Sequence, residues 1–307
     1  MMKNKSWLLY ALTTTIFWGI WGALIEIPEK AGFPATLGYS VWALTMLIPA
    51  YVVLKKINWK IEFDKRSVLL GSVIGFTGAG GQLVLFQALR TGPAYLVFPF
   101  ISLSPVITIL LSIVILKERA SKRGWAGIIT ALIAIPLLSY QPGNDSNSSG
   151  VMWIILALIV FLAWGLQAFI MKFANKSMKG ESIFFYMTIT GIILIPFAIL
   201  MTDFSQPINW GWKGPWLTAG IQLLNAVGAL TLVFAFRYGK AIVVSPLVNA
   251  VAPIITVGLS LFIYSVIPHP IIITGIILAV FAVYLLAVEG EDSSEENELM
   301  NNEIENG

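Results

Sequence analysis

The sequence predicts an all-α polytopic membrane protein: ten transmembrane helices laid out as two inverted five-helix repeats. Three observations carry that prediction. The chain is 57% hydrophobic and only 11% charged, with a mean hydropathy of +0.83, whereas a soluble domain carries roughly 25% charged residues to face water. Ten apolar stretches approach the ~20 residues that a helix rising about 1.5 Å per residue needs to cross a ~30 Å hydrocarbon core. Finally, FQALRTGPA at 86–94 returns 147 positions later as VFAFRYGKA at 233–241, beside the third and the eighth stretch. A unit repeated after five crossings enters the bilayer upside down, because five is odd.

The stretches run 7–27, 34–54, 67–89, 93–116, 124–140, 150–171, 182–202, 213–236, 241–264 and 270–288. The first follows a short basic start and resembles a signal peptide only faintly. No small-residue cleavage site follows it, and Trp18, Trp21 and Glu26 interrupt a signal core, so it is expected to stay as helix 1. Trp18 and Trp21 lie one turn apart. Glu26 continues the Trp18–Gly22 stripe as the only carboxylate within the apolar length of a helix. An ionised carboxylate in lipid is costly unless paired or hydrated, which makes Glu26 a candidate for proton coupling or for holding a cationic substrate. Pro28 and Lys30 offer the alternative of an ended helix with Glu26 wet and paired.

Helix 3 carries Gly71, Gly75, Gly78, Gly80 and Gly81 at spacings that let backbones approach closely, and Gln82 continues that face toward the expected cavity. Arg90 marks its end or else faces an anionic group, with the end-marker reading favoured. Helix 4 contains Pro99 and Pro105 and closes on LKERAS, 116–121. The polar joint QPGNDSNSSG follows, so the first repeat is placed at 1–140 and a linker at 141–149, with a sequon at Asn147. The second repeat, 150–288, opens with helix 6, where Trp164-Gly165 matches Trp18-Gly19 and Gln167 stands one turn on. Helix 8 offers Gln222 and Asn225 on a shared face. Helix 9 holds Pro246, Pro253 and Asn249. Each proline frees a carbonyl one turn earlier and bends its helix, and bent helices at matching places in two halves point to the binding site of a carrier. The amides suit either helix–helix hydrogen bonds or substrate contact. The duplicated indoles suit core packing, or an aromatic or amphipathic ligand through stacking and cation–π contact. Most other tryptophans, among them Trp7, Trp42, Trp59, Trp125, Trp153, Trp210, Trp212 and Trp216, are expected as interface anchors near helix ends.

Charge sets the orientation. With ten helices both termini share a side, and 16 of the 19 lysines and arginines fall in the loops of that side, leaving Lys30, Arg90 and Lys213 opposite. Short basic loops stay in the cytoplasm, so both termini are expected there, in a plasma (inner) membrane. The segment 289–307 holds eight of the sixteen acidic residues and no basic one; nineteen basic against eight acidic residues elsewhere leave +11 over the rest. So polar a tail is expected to be disordered. Cysteine is absent and the one histidine, His269, lies between two prolines in a loop, which removes thiol chemistry, disulfides and Cys-ligated metal.

The paired Trp-Gly steps, Ala88 and Gly92 at the helix 3–4 junction, the matched prolines, and PVITILLS at 105–112 against PIITVGLS at 253–260 occur in a fixed order across nearly the whole chain. In that order and spacing they resemble the EamA-like ten-helix members of the drug/metabolite transporter superfamily. Glu118 and Arg119 match the family's Gly-Glu-Arg ending of helix 4, with Lys117 in place of its glycine; Val266 and Ile267 show that the second half lacks it. The resemblance implies a central cavity between the halves, walled by helices 1, 3, 4, 6, 8 and 9, and a secondary carrier for a small organic metabolite. It leaves substrate and direction open; an amino-acid-like or amphipathic compound and export are the expectation. The candidate cavity residues are Trp18, Trp21, Glu26, Gln82, Pro99, Trp164, Gln167, Gln222, Asn225, Pro246 and Asn249. No GxxxxGK[ST] loop is present, so energy would come from an H⁺ or Na⁺ gradient, and no cofactor, metal or nucleic acid is expected. The bilayer and the substrate are the expected partners, with room left for a homodimer. A sugar or nucleotide-sugar exchanger of the same superfamily is the second reading. A polytopic membrane enzyme is the third, disfavoured because such chemistry needs a nucleophile with a base, a metal cluster or paired acids.

Overall fold

The computed structural model describes residues 6–92, 94–138, 140, 151–264 and 269–286. The linker 141–149, with its sequon, and the acidic segment 289–307 lie outside the described residues. Among the described residues ten apolar helical runs form. They are α1 (Ser6–Lys30), α2 (Ala35–Lys56), α3 (Lys65–Thr91), α4 in two pieces (Ala94–Ile101 and Pro105–Leu116), α5 (Lys122–Leu138), α6 (Met152–Ala174), α7 (Gly180–Leu200), α8 (Trp212–Tyr238), α9 (Ala241–Tyr264) and α10 (Pro270–Leu286). Seven of them, α1 to α3 and α6 to α9, are long and apolar enough to cross a membrane.

Local chemistry explains the irregularities. Asp64 starts α3 by accepting the Arg66 and Ser67 amides, both at 3.1 Å, which satisfies two of the donors a helix start leaves open. The glycine-rich middle of α3 widens into a π-turn over Phe76–Gly80. Pro105 has no N–H to give the Ile101 carbonyl, so the Ser104 amide takes that carbonyl at 3.0 Å, and α4 tightens and breaks between its pieces. Helix α9 carries Pro246 and Pro253 yet continues from Ala241 to Tyr264. The matched prolines thus break only the first-repeat copy.

Contacts along the seams establish the inversion. Trp7 packs on Gly239, Thr14 Oγ1 reaches Thr231 Oγ1 at 2.8 Å, and Trp21 reaches Gln222; the numbers rise along α1 as they fall along α8, so the two are antiparallel. In the same way Trp153 packs on Gly92, Trp164 on Gly81 and Gln167 on Gly78, making α6 antiparallel to α3. Gly71 meets Tyr186 and Gly75 meets Thr190, so α3 and α7 run parallel. With α7 and α8 successive and opposed, α8 runs against α3 as α6 does, so α1 and α3 share one direction and α6 and α8 the other.

Each repeat therefore buries its first helix against the other repeat. Helix α1 lies on α8 and α9, and α6 lies on α3 and α4. The lysine- and arginine-rich loops meet at one end, hereafter the basic end: Lys240 Nζ donates to the Arg119 carbonyl at 3.1 Å, Arg237 to the Met178 carbonyl at 3.0 Å, and Lys179 Nζ to the Lys60 carbonyl at 3.2 Å. At the opposite end Asn209 donates to the Ala31 carbonyl at 2.9 Å and Arg90 to the Met201 carbonyl at 2.8 Å.

Candidate functional site

Two clusters of indoles and amides stand at equivalent places in the two seams. In the first, Trp18 Nε1 donates to the Asn225 carbonyl at 3.3 Å, Trp21 Nε1 donates to Gln222 Oε1 at 3.0 Å, and Asn225 Nδ2 donates to the same Gln222 oxygen at 3.4 Å. In the second, Trp164 Nε1 donates to the Gly78 carbonyl at 3.3 Å and Gln167 lies across Gly78. Gly78 and Asn225 are 147 positions apart, the spacing of the sequence repeat. A Cβ at Gly81 would stand 2.6 Å from Trp164 Nε1, and one at its mate Gly228 would stand 2.5 Å from Trp18 Nε1. The glycines are notches that let each indole reach a carbonyl of the facing backbone, which meets the usual need of a buried indole N–H for an acceptor.

Beneath each cluster the seam closes on a second matched contact. Thr256 Oγ1 donates to the Gly19 carbonyl and Thr108 Oγ1 to the Gly165 carbonyl, each at 3.0 Å. These threonines went unremarked as functional candidates in the sequence, although both sit inside the matched PVITILLS and PIITVGLS segments. Hydroxyl-to-carbonyl bonds of this kind, buried at Thr108 and half-buried at Thr256, help to hold helices together.

Other expected residues fall apart from these clusters. Glu26 is exposed at the end away from the basic loops, in the short turn Glu26–Lys30 that follows a break at Ile25, and pairs with Lys30 Nζ at 2.6 Å. Of the two readings open in the sequence, the geometry matches the paired, wet one. Its repeat mate, 146 positions on, is Lys172. Asn249 donates back to the Ser245 carbonyl of its own helix at 2.9 Å. Pro246 is buried and Gln82 half-buried, while the Pro99 side chain lies outside what is described. His269 lies tilted against Tyr140, ring centres 4.9 Å apart, and its Nδ1 accepts the Ile271 amide at 3.3 Å at the start of α10.

Three tryptophans depart from the expected interface role. Trp7 is 7% exposed, and it and Trp153 fill the notches at Gly239 and Gly92 where the α8–α9 and α3–α4 junctions turn. Trp42 packs edge-on against Tyr39, 5.4 Å between ring centres. Its Nε1 is buried without a partner among the described residues. By contrast Trp59, Trp210, Trp212 and Trp216 are exposed near helix ends, as anchors are. An apolar groove of about 290 Å³ on the flank between α2 and α8 is lined by Ile48, Pro49, Val52, Leu223, Val227 and Leu230; it offers no polar group to orient a ligand.

A family model for EamA-like transporters matches residues 5–140 and again 151–288. The chain belongs to the EamA-like transporter family. Protein LicB of Haemophilus influenzae is 24% identical over 208 residues, covering 65% of this chain and 70% of its own. A protein of Archaeoglobus fulgidus described as an uncharacterized transporter is 28% identical over 158 residues, half of this chain and 54% of its own. A chain of known crystal structure superposes with a TM-score of 0.75 over 92% of this chain and 96% of its own. At 16% identity that likeness concerns the fold alone. As a family member the protein is a multi-pass membrane transporter.

Proposed function

We propose that this transporter is a secondary carrier that moves a small organic metabolite, amphipathic or amino-acid-like, across the plasma membrane by alternating access, with both termini in the cytoplasm. The observation that carries the reading is the duplication of the seam contacts. Gly19, Thr256, Trp18 and Asn225 repeat as Gly165, Thr108, Trp164 and Gly78 in an inverted copy. Two inverted copies of one set of contacts make two arrangements of nearly equal energy, one open to each side, which is what rocking between them requires.

The chemistry of the clusters favours the substrate class. Trp18, Trp21, Gln222 and Asn225 combine aromatic faces with hydrogen-bonding groups and carry no formal charge, which suits a ligand with an apolar body and a few polar groups. The lysines of loops 55–66, 117–123 and 172–179 support the cytoplasmic assignment of the basic end.

Counterflow in proteoliposomes with a metabolite library, under imposed pH and Na⁺ gradients, tests the proposal and reads direction and coupling together. Saturable exchange of at least one amphipathic compound is expected, with weakened affinity in Trp164→Ala. Wild-type kinetics in that variant would return the indole to packing, and no exchange of any compound would overturn the carrier reading.

A further inference from the structure

On the carrier reading above, we propose that the Glu118 carboxylate is a proton-binding site, and that its protonation unlocks the basic end of the transport path. The helices group into two packed sets, α1 with α8 and α9, and α6 with α3 and α4. Glu118 lies just past α4 and crosses from one set to the other. Its Oε2 accepts the Ile242 amide at 3.1 Å in the first turn of α9. Its Oε1 lies 3.9 Å from Lys172 Nζ, with the two side chains only 10% and 15% exposed. Lys172 Nζ in turn donates to the Gly239 carbonyl at 2.6 Å, at the α8–α9 junction, and Lys240 from that junction donates back to the Arg119 carbonyl.

Among the described residues this closure stands at one end. Residues 241–248 of α9, toward the basic end, are buried throughout, whereas 251–260 are half-exposed. At the far end the mate of Lys172 is Glu26, which spends its charge on Lys30 within its own helix, and the sequence mate of Glu118 is Val266, which cannot titrate. A charge that holds the two sets together at one end and has no titratable mate at the other is a device for making one state depend on a proton.

The groups around Glu118 give the sign. Lys172 and Lys240 face it, Lys176 lies beside Lys172, and Lys117 and Arg119 flank it in the chain. Burial pushes its carboxyl above the usual range, opposed by Lys172 and then by the Ile242 and Ala241 amides. A proton taken from water at the basic end turns the charged acceptor of the Ile242 amide into a weaker neutral one and leaves Lys172 without its counter-charge. Buried charges without partners are strongly disfavoured, so protonation favours the arrangement in which the sets part and Lys172 meets water.

The chain has no cysteine, so spin labels at Leu9→Cys on α1 and Ser177→Cys after α6, both exposed, report the separation of the two sets in nanodiscs. Lowering the pH from neutral to acid, through the raised range of the Glu118 carboxyl, is expected to add a longer distance. Glu118→Gln is expected to show the longer distance at both pH values. Lys172→Gln is expected to raise the midpoint by about one pH unit, because a cation beside a carboxylate lowers its pKa. A wild-type distance that ignores pH, a pH response surviving in Glu118→Gln, or a midpoint unmoved in Lys172→Gln would each overturn the assignment, and the last serves if Glu118→Gln misfolds. The distances need no substrate: a failed carrier reading shows itself separately, as absent counterflow with the distance shift intact.

Discussion

Gly165 lies so closely beneath Ile107 that a Cβ on it would stand 2.5 Å from the Ile107 Cβ and 2.6 Å from the Ser104 carbonyl oxygen. Its mate Gly19 meets Ile255 in the same way, with the Ala252 carbonyl at 3.1 Å. The two crossings differ in what can yield, since a side chain moves more cheaply than backbone.

Gly165→Ala is therefore expected to destabilise the protein by about 1–3 kcal/mol, the range of overpacked cores, with no relief from Ile107→Ala because the Ser104 carbonyl remains. Gly19→Ala is expected to be relieved only in part by Ile255→Ala, which removes the Cγ2 that the new methyl meets but keeps the Cβ. Thermal unfolding of the four single and double variants in detergent checks both; equal relief at the two sites would contradict the geometry.

Trp18→Phe and Trp164→Phe keep most of the aromatic bulk and delete one indole-to-carbonyl bond each. Each is expected to cost about 1 kcal/mol, and the two costs should add because the seams share no partner. Denaturant titrations of the single and double variants provide the measurement.

Trp21 and Asn225 share a single acceptor, Gln222 Oε1. Gln222→Leu strands both donors, so it is expected to cost more than Trp21→Phe. A double-mutant cycle should give a coupling of about 0.5–3 kcal/mol. A coupling of zero would mean that the Trp21–Gln222 bond is not formed in the bilayer.

Glu26→Gln removes an exposed pair with Lys30. Such pairs contribute less than about 1 kcal/mol, so both melting temperature and gradient dependence of transport should stay at wild-type values. A loss of gradient dependence would return Glu26 to the coupling role that the sequence left open.

The start of α3 should respond to acid. The Ser67 hydroxyl, at 2.6 Å, and then the Ser67 amide hold the Asp64 carboxyl below its ordinary value of 3.8. Because the folded value is the lower one, the cap contributes fully above the ordinary value and is lost as pH falls through the depressed one. Amide exchange at Arg66 and Ser67 should accelerate in that window, and Asp64→Asn should flatten the response.

Much of this architecture is legible in the chain alone. Hydropathy and the 147-residue spacing specify ten apolar helices and an inverted duplication, because span length and span parity are local properties added along the sequence. The matched Trp18-Gly19 and Trp164-Gly165 steps likewise announce two equivalent seams. Which partner each residue takes is decided only when the seams close. Nothing local says that the Trp18 and Trp164 indoles reach backbone carbonyls, that Trp7 and Trp153 fill glycine notches, or that Pro105 breaks α4 while Pro253 leaves α9 whole. Nor does the sequence show Glu118 beside Lys172, 54 positions away. Those facts depend on the register between helices of opposite repeats, and register is set by the packing of whole faces that are remote from one another in sequence.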